Sequence, residues 1–113
     1  MFDHEDLDVY QLSLKLTGWL DPILTRLSCS TDLRMKLDRS TTSIVLNIAE
    51  GNGRFTAADK AKYYKTARKT AIHSDALLDL AAGGESADTK EGREWLHRVA
   101  AMLAALTKTT IRK

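Results

Sequence analysis

Ser43-Ile44-Val45-Leu46-Asn47-Ile48-Ala49-Glu50-Gly51-Asn52-Gly53-Arg54 is the stretch that decides how this chain must fold. Up to Glu50 it reads as the last turns of a helix, apolar on nearly every side, with one Asn and one Glu among the apolar residues. It then stops at a Gly-Asn-Gly turn, which reads as a C-cap. A helix apolar all round has to be covered all round. Upstream, Leu33, Leu37, Ser40, Ile44 and Ile48, joined by Asn47, give a core stripe to a helix running from about Asp32 to about Glu50. Met35, Thr42, Leu46 and Ala49 form a second stripe on the opposite side. A small bundle leaves each helix one wet face, so this second stripe favours contact between subunits over a further contact inside the bundle. A buried amide or carboxylate without a partner is costly. Asn47 and Glu50 are therefore expected in a structural polar network with Arg39 or Arg68, or with Glu50 holding the N–H groups of the next loop. A ligand site in a subunit cleft is the alternative.

Working outward, the N-terminal side carries Val9, Leu12, Leu16, Leu20, Ile23 and Leu27 at spacings of three and four, a helix facing a core, with Asp6 as its expected cap. Pro22 inside this pattern removes a backbone donor and predicts a kink or a restart. Ser28 to Thr31 is the first loop, and Ser30 or Thr31 can cap the central helix. On the C-terminal side, Phe55 followed by Thr56-Ala57-Ala58-Asp59 reads as a hydrophobic lead-in and a variant capping box. The third helix lines one face with Ala57, Ala61, Tyr64, Ala67, Ala71 and Leu78, sets Lys62, Lys65 and Lys69 on the other, and ends at Gly83-Gly84. A fourth enters at Ser86 to Asp88, with Asp88-Thr89-Lys90-Glu91 as its capping box. Trp95, Val99, Met102, Leu103 and Leu106 form its core stripe, and a polar tail from Thr109 to Lys113 is expected to fray.

Composition agrees. The 113 residues include one Pro and six Gly and show no strand-type alternation. The reading is all-α: one domain, residues 1–113, an antiparallel up-and-down four-helix bundle. Cys29 is the single cysteine, which excludes an intrachain disulfide and a thiolate cluster, and it reads as a small core residue. No apolar run reaches the roughly 18 residues of a membrane span. The acidic start, Met1-Phe2-Asp3-His4-Glu5-Asp6, is unlike a secretory signal, so a cytoplasmic chain is expected.

The net charge of +2 is unevenly placed. Residues 1–50 carry five Lys/Arg against eight Asp/Glu, whereas residues 51–69 carry six Lys/Arg against Asp59 alone. Arg54, Lys62, Lys65 and Lys69 are accordingly the candidate nucleic-acid contacts, and copies around a ring would multiply their field. The plainer reading is a solvated helix face, and no stacking platform or recognition helix is apparent.

Enzyme readings fare worse. A di-iron bundle needs Glu-x-x-His on two helices, but Glu94-Trp95-Leu96-His97 supplies it once, with Trp95 on the core stripe and the two ligand types turned away. His73-Ser74-Asp75 holds the letters of a hydrolase triad, yet consecutive helical residues point in different directions. Three His and one Cys leave metal catalysis short of ligands. No enzyme activity, metal or cofactor is expected.

The sequence also resembles a known family. Phe2-Asp3-His4-Glu5 with Leu7-Asp8-Val9-Tyr10-Gln11, then Arg39 ahead of Ser43-Ile44-Val45-Leu46-Asn47-Ile48-Ala49-Glu50-Gly51, then Phe55-Thr56, Lys60-Ala61-Lys62-Tyr63-Tyr64 and Ala67-Arg68, are similar to the bacterial four-helix-bundle proteins encoded by intervening sequences of 23S ribosomal RNA genes. The Gly-rich loop from Ala82 to Thr89 departs from that pattern. The resemblance implies a homopentamer of antiparallel bundles and supplies no catalytic residues. A related protein is the accessory subunit of diversity-generating retroelements, a basic pentameric barrel that partners a reverse transcriptase and binds nucleic acid. The combined expectation is a non-enzymatic homo-oligomer that binds RNA or DNA through the third helix. The alternative is a structural or adaptor oligomer that docks a protein partner without nucleic-acid affinity.

Overall fold

The computed structural model describes residues 3–112, apart from the Asp6 side chain. A short 3₁₀ turn, Asp3–Asp6, leads into four helices: α1 (Asp8–Leu27), α2 (Thr31–Asn52), α3 (Ala57–Ala82) and α4 (Ala87–Arg112). Connections of three or four residues leave each helix no course but to turn back along its predecessor. Paired contacts show the reversal. Ser40 meets Ser74 while Gly51 meets Tyr64, and Trp19 lies on Gly92 while Arg26 reaches Asp88. The pairs α2–α3 and α3–α4 pack most extensively, and α1 closes the ring against α2 and α4, which puts α2 diagonally opposite α4. The result is an antiparallel four-helix bundle of 45 × 25 × 21 Å.

The helix ends follow local chemistry. Ser30 Oγ accepts from Leu33 N–H at 3.2 Å and Thr56 Oγ1 from Asp59 N–H at 3.1 Å, so both expected caps are present. At α1 the N-cap is Leu7, which has no side-chain acceptor; the expected Asp6 cap lies outside the described residues. Pro22 neither stops nor restarts α1, which is continuous. The helical bond it cannot donate is the one to the carbonyl of Gly18, an exposed position. The cap of α4 comes from Ser86, whose hydroxyl accepts from Asp88 N–H at 3.2 Å. Asp88 sits in the first turn and takes Arg26 at 3.1 Å instead. At the other end α4 is helical past Thr109. It continues to Arg112, with Thr109 Oγ1 donating to the Ala105 carbonyl at 3.1 Å, while Lys113 lies outside the described residues.

Inside the ring, Leu16, Leu20, Leu24, Leu37, Ile44, Ile48, Tyr64, Leu78, Leu96, Val99 and Leu103 are fully or almost fully buried. In α4 the centre of the core stripe is Leu96, not Trp95. Trp95 is half-buried and packs edge-to-face on Trp19 at 5.9 Å, with the Lys15 ammonium 5.0 Å from its ring centroid. Cys29 is half-buried against the core edge. Deep in the α2–α3 seam the buried hydroxyls of Ser40 and Ser74 lie 2.7 Å apart.

Two glycines serve close approach. A Cβ on Gly92 would lie 2.2 Å from the Trp19 ring, and one on Gly51 2.9 Å from the Tyr64 ring. Gly51 is therefore not part of a C-cap. It is buried inside α2, which ends two residues beyond Glu50, and Gly53 caps it with a right-handed φ of −83°.

Candidate assembly and nucleic-acid surfaces

The outer side of α2 is uncovered. Leu46 is 62% exposed and Met35 55% exposed, while Thr42 and Ala49 share the same side. Thr42, Leu46 and Ala49 line a groove with Arg39, Asn47 and Glu50. A second groove shares Ala49, Glu50 and Gly53 and runs on to Phe55. Phe55 is fully exposed. It packs as no lead-in to α3, because the cap at Thr56 turns the chain and leaves the ring outside.

Of the four residues expected to form one polar network, Arg39, Asn47 and Glu50 share the α2 groove without a hydrogen bond among them, and Arg68 lies apart between α3 and α4. Asn47 is half-buried and satisfied locally, donating to the Ser43 carbonyl at 2.8 Å and sharing a hydrogen bond with the Ser43 hydroxyl at 3.0 Å. Glu50 is exposed and accepts from Arg54, one helical turn on. Arg39 and Arg68 are exposed and make no ion pair with the described residues.

Arg54 is consequently tied down. Its guanidinium binds Glu50, donates to the Tyr63 hydroxyl at 2.7 Å and lies 4.7 Å from the Tyr63 ring centroid. It braces the α2–α3 turn and is not a free cation. Lys60 is similarly occupied, donating to the Asn52 carbonyl at 2.8 Å where the negative end of α2 emerges. Lys62, Lys65 and Lys69 differ. All three are exposed, their ammonium groups meet no carboxylate among the described residues, and they line one open groove with Ala57, Thr66 and Ile111 of α4. Ala57, read as a core residue, is exposed at this rim.

A charged cluster absent from the sequence reading joins α3 to α4. Arg93 grips Asp75 with Nε at 2.8 Å and a second nitrogen at 3.2 Å, and reaches Asp79 at 3.2 Å, while His97 approaches Asp75 at 3.4 Å. Burial raises the Asp75 pKa, but the hydrogen bonds and charge of Arg93, aided by His97, outweigh it and hold the carboxyl below its ordinary value. A carboxyl depressed in this way adds stability above its unfolded pKa of about 3.9, and that stability is lost as pH falls through the lower folded value. Asp75→Asn should therefore flatten the loss of stability below about pH 4 in acid-unfolding curves. Arg93→Ala should cost about 1–2 kcal/mol at pH 7 by urea denaturation, the low end for a charge-assisted pair because Arg93 keeps part of its hydration. Glu94 and His97 are both exposed, and Ser74 of the His73-Ser74-Asp75 run is turned inward to Ser40 while Asp75 faces Arg93.

No helix among the described residues is long and apolar enough to cross a membrane. Fold and surfaces together define an all-α bundle protein whose distinctive features are an uncovered helix face and a cationic stripe. The model of the 23S rRNA-intervening sequence proteins matches residues 5–108, and the chain belongs to that family. No curated protein matches it.

Proposed function

We propose that the chain is a non-enzymatic, cytoplasmic module that assembles with copies of itself and binds RNA or DNA through Lys62, Lys65 and Lys69. Five copies is the number the family resemblance implies. The observation that carries the nucleic-acid reading is three exposed lysines on one groove with no acidic partner, a stripe free to neutralise phosphates. Arg54, held by Glu50 and Tyr63, drops out of this surface. Assembly is supported by the apolar outer side of α2, where Met35 and Leu46 are more than half exposed.

The test is a salt titration of binding to generic single-stranded RNA and to duplex DNA, with the unmodified chain and with Lys62, Lys65 and Lys69 all changed to Glu. Binding that weakens steeply with salt and vanishes in the variant is expected. Absence of binding at low salt, with assembly intact by light-scattering mass, would overturn the nucleic-acid reading and leave the adaptor that docks a protein partner as the alternative.

A further inference from the structure

Along the sequence the charges of α3 and α4 look mixed, but the hairpin these helices form sorts them. Residues 75–94, its closed end, carry six Asp/Glu against two Lys/Arg. Residues 60–74 and 95–112, its open end, carry eight Lys/Arg and no Asp/Glu. The two acid-free stretches lie side by side. Asp75 meets Arg93 and His97 at one limit, and Ile111 borders the groove of Lys62, Lys65 and Lys69 at the other. At the closed end Arg93 is taken up by Asp75 and Asp79. At the open end Lys62, Lys65, Arg68, Lys69, Lys108 and Arg112 are all exposed, and none meets a carboxylate among the described residues. Asp59, in the first turn of α3, is the one acid of these two helices outside the closed end.

Two rows of cations result. Lys62, Lys65 and Lys69 stand along about 10 Å of the α3 axis. On α4, Lys108 falls between Ala104 and Ile111, which both border α3, and Arg112 follows Ile111. Arg68 lies between the rows, beside Ala101 and Ala104. Packed helix axes stand about 8–10 Å apart, the scale of a duplex groove, which in B-DNA is about 6 Å wide on the minor side and about 12 Å on the major. We infer that this face takes a double-stranded nucleic acid, the α3 row on one phosphate strand and the α4 row on the other. This rests on the nucleic-acid reading above and specifies its ligand. The side chains around the rows argue against a single strand. Sites for single strands stack bases on aromatic side chains. The tyrosines and the tryptophan of the two stretches are engaged elsewhere: Tyr64 is buried, Tyr63 holds Arg54, and Trp95 packs on Trp19. Ala104 and Ile111 offer no side-chain donor or acceptor to a base edge, so recognition runs through the phosphates and is indifferent to sequence. A duplex also presents the denser target, one charge for about every 1.7 Å of its axis.

The experiment compares duplex DNA and duplex RNA of mixed sequence with their own separated strands, over a range of salt. Both duplexes should bind more tightly than their strands, and a duplex of scrambled sequence should bind equally well. Lys108→Gln combined with Arg112→Gln should lower the slope of log affinity against log salt on duplex DNA by about 1.8 for each engaged chain, two contacts at about 0.9 apiece. Both positions are exposed, and circular dichroism checks that the variant keeps its fold. Single strands that bind as tightly as the duplexes, or a duplex slope unmoved by the α4 variant, overturn the two-row geometry. The nucleic-acid reading then still stands if changing Lys62, Lys65 and Lys69 to Glu abolishes binding. Failure of duplexes and strands alike to bind at low salt overturns both.

Discussion

Gly92→Leu should lower the stability of the bundle by about 3 kcal/mol or more, the upper end of the range for overpacked interiors. The Cβ alone would sit 2.2 Å from two ring carbons of Trp19, well inside van der Waals contact. The half-buried indole can yield only by giving up its edge-on contact with Trp95, over whose ring Lys15 lies. The remaining route is separation of α1 from α4, the helix pair that closes the bundle. For a chain of this length such a loss corresponds to a fall in Tm of roughly 10–20 °C, read by thermal denaturation. Trp19→Ala in the same chain should recover part of it, since the space the indole vacates is where the new side chain would go. If Gly92→Leu melts with the unmodified chain, the close approach of α1 to α4 is wrong.

The second large effect concerns binding. Each lysine that neutralises a phosphate of duplex DNA adds about 0.9 to the slope of log affinity against log salt. One chain contributing Lys62, Lys65 and Lys69 thus loses roughly 40-fold in affinity between 50 and 200 mM salt, and two chains engaged together lose upwards of about 1,000-fold. The slope therefore counts the chains that touch the nucleic acid. Lys65→Ala should lower it by about 0.9 for every engaged copy, while Lys65→Arg should leave it unchanged. A slope indifferent to all three lysines would place the contact elsewhere.

Much of this architecture was legible in the sequence because buried faces of bundle helices repeat at three and four. Leu37, Ser40, Ile44 and Ile48 are buried as their spacing required, and the caps at Ser30 and Thr56 follow from hydroxyls placed just ahead of apolar runs. What escaped depends on distance between helices. Gly92 reads as a weak helix residue until Trp19 is set against it. Arg93 grips acids 14 and 18 residues away, and no local pattern reports that. Leu96 displaces Trp95 from the centre of α4 because Trp95 meets Trp19 edge-to-face outside the core. Arg54 is the instructive miss among the site residues. Its spacing of four from Glu50 was visible and marks a helical ion pair, yet local charge counting treated it as free. Phe55 misled differently: an apolar residue before a cap is a staple only if its partner at the fourth helical position is apolar, and there stands Lys60.

The hydroxyl pair of Ser40 and Ser74 has a bearing on which fold is unique. Along the α2–α3 seam the α3 side offers Ala61, Ala67 and Ala71, small surfaces that would pack nearly as well after sliding by one helical turn, about 5.4 Å. Such a slip would part the two hydroxyls, leaving each only its bond to a carbonyl of its own helix, at Leu37 and Thr70, and bring Tyr64 from Gly51 onto a residue with a side chain. Neither group contributes much to the native state's own stability. Each raises the free energy of the shifted alternatives, so a seam that small residues leave permissive is held to a single register.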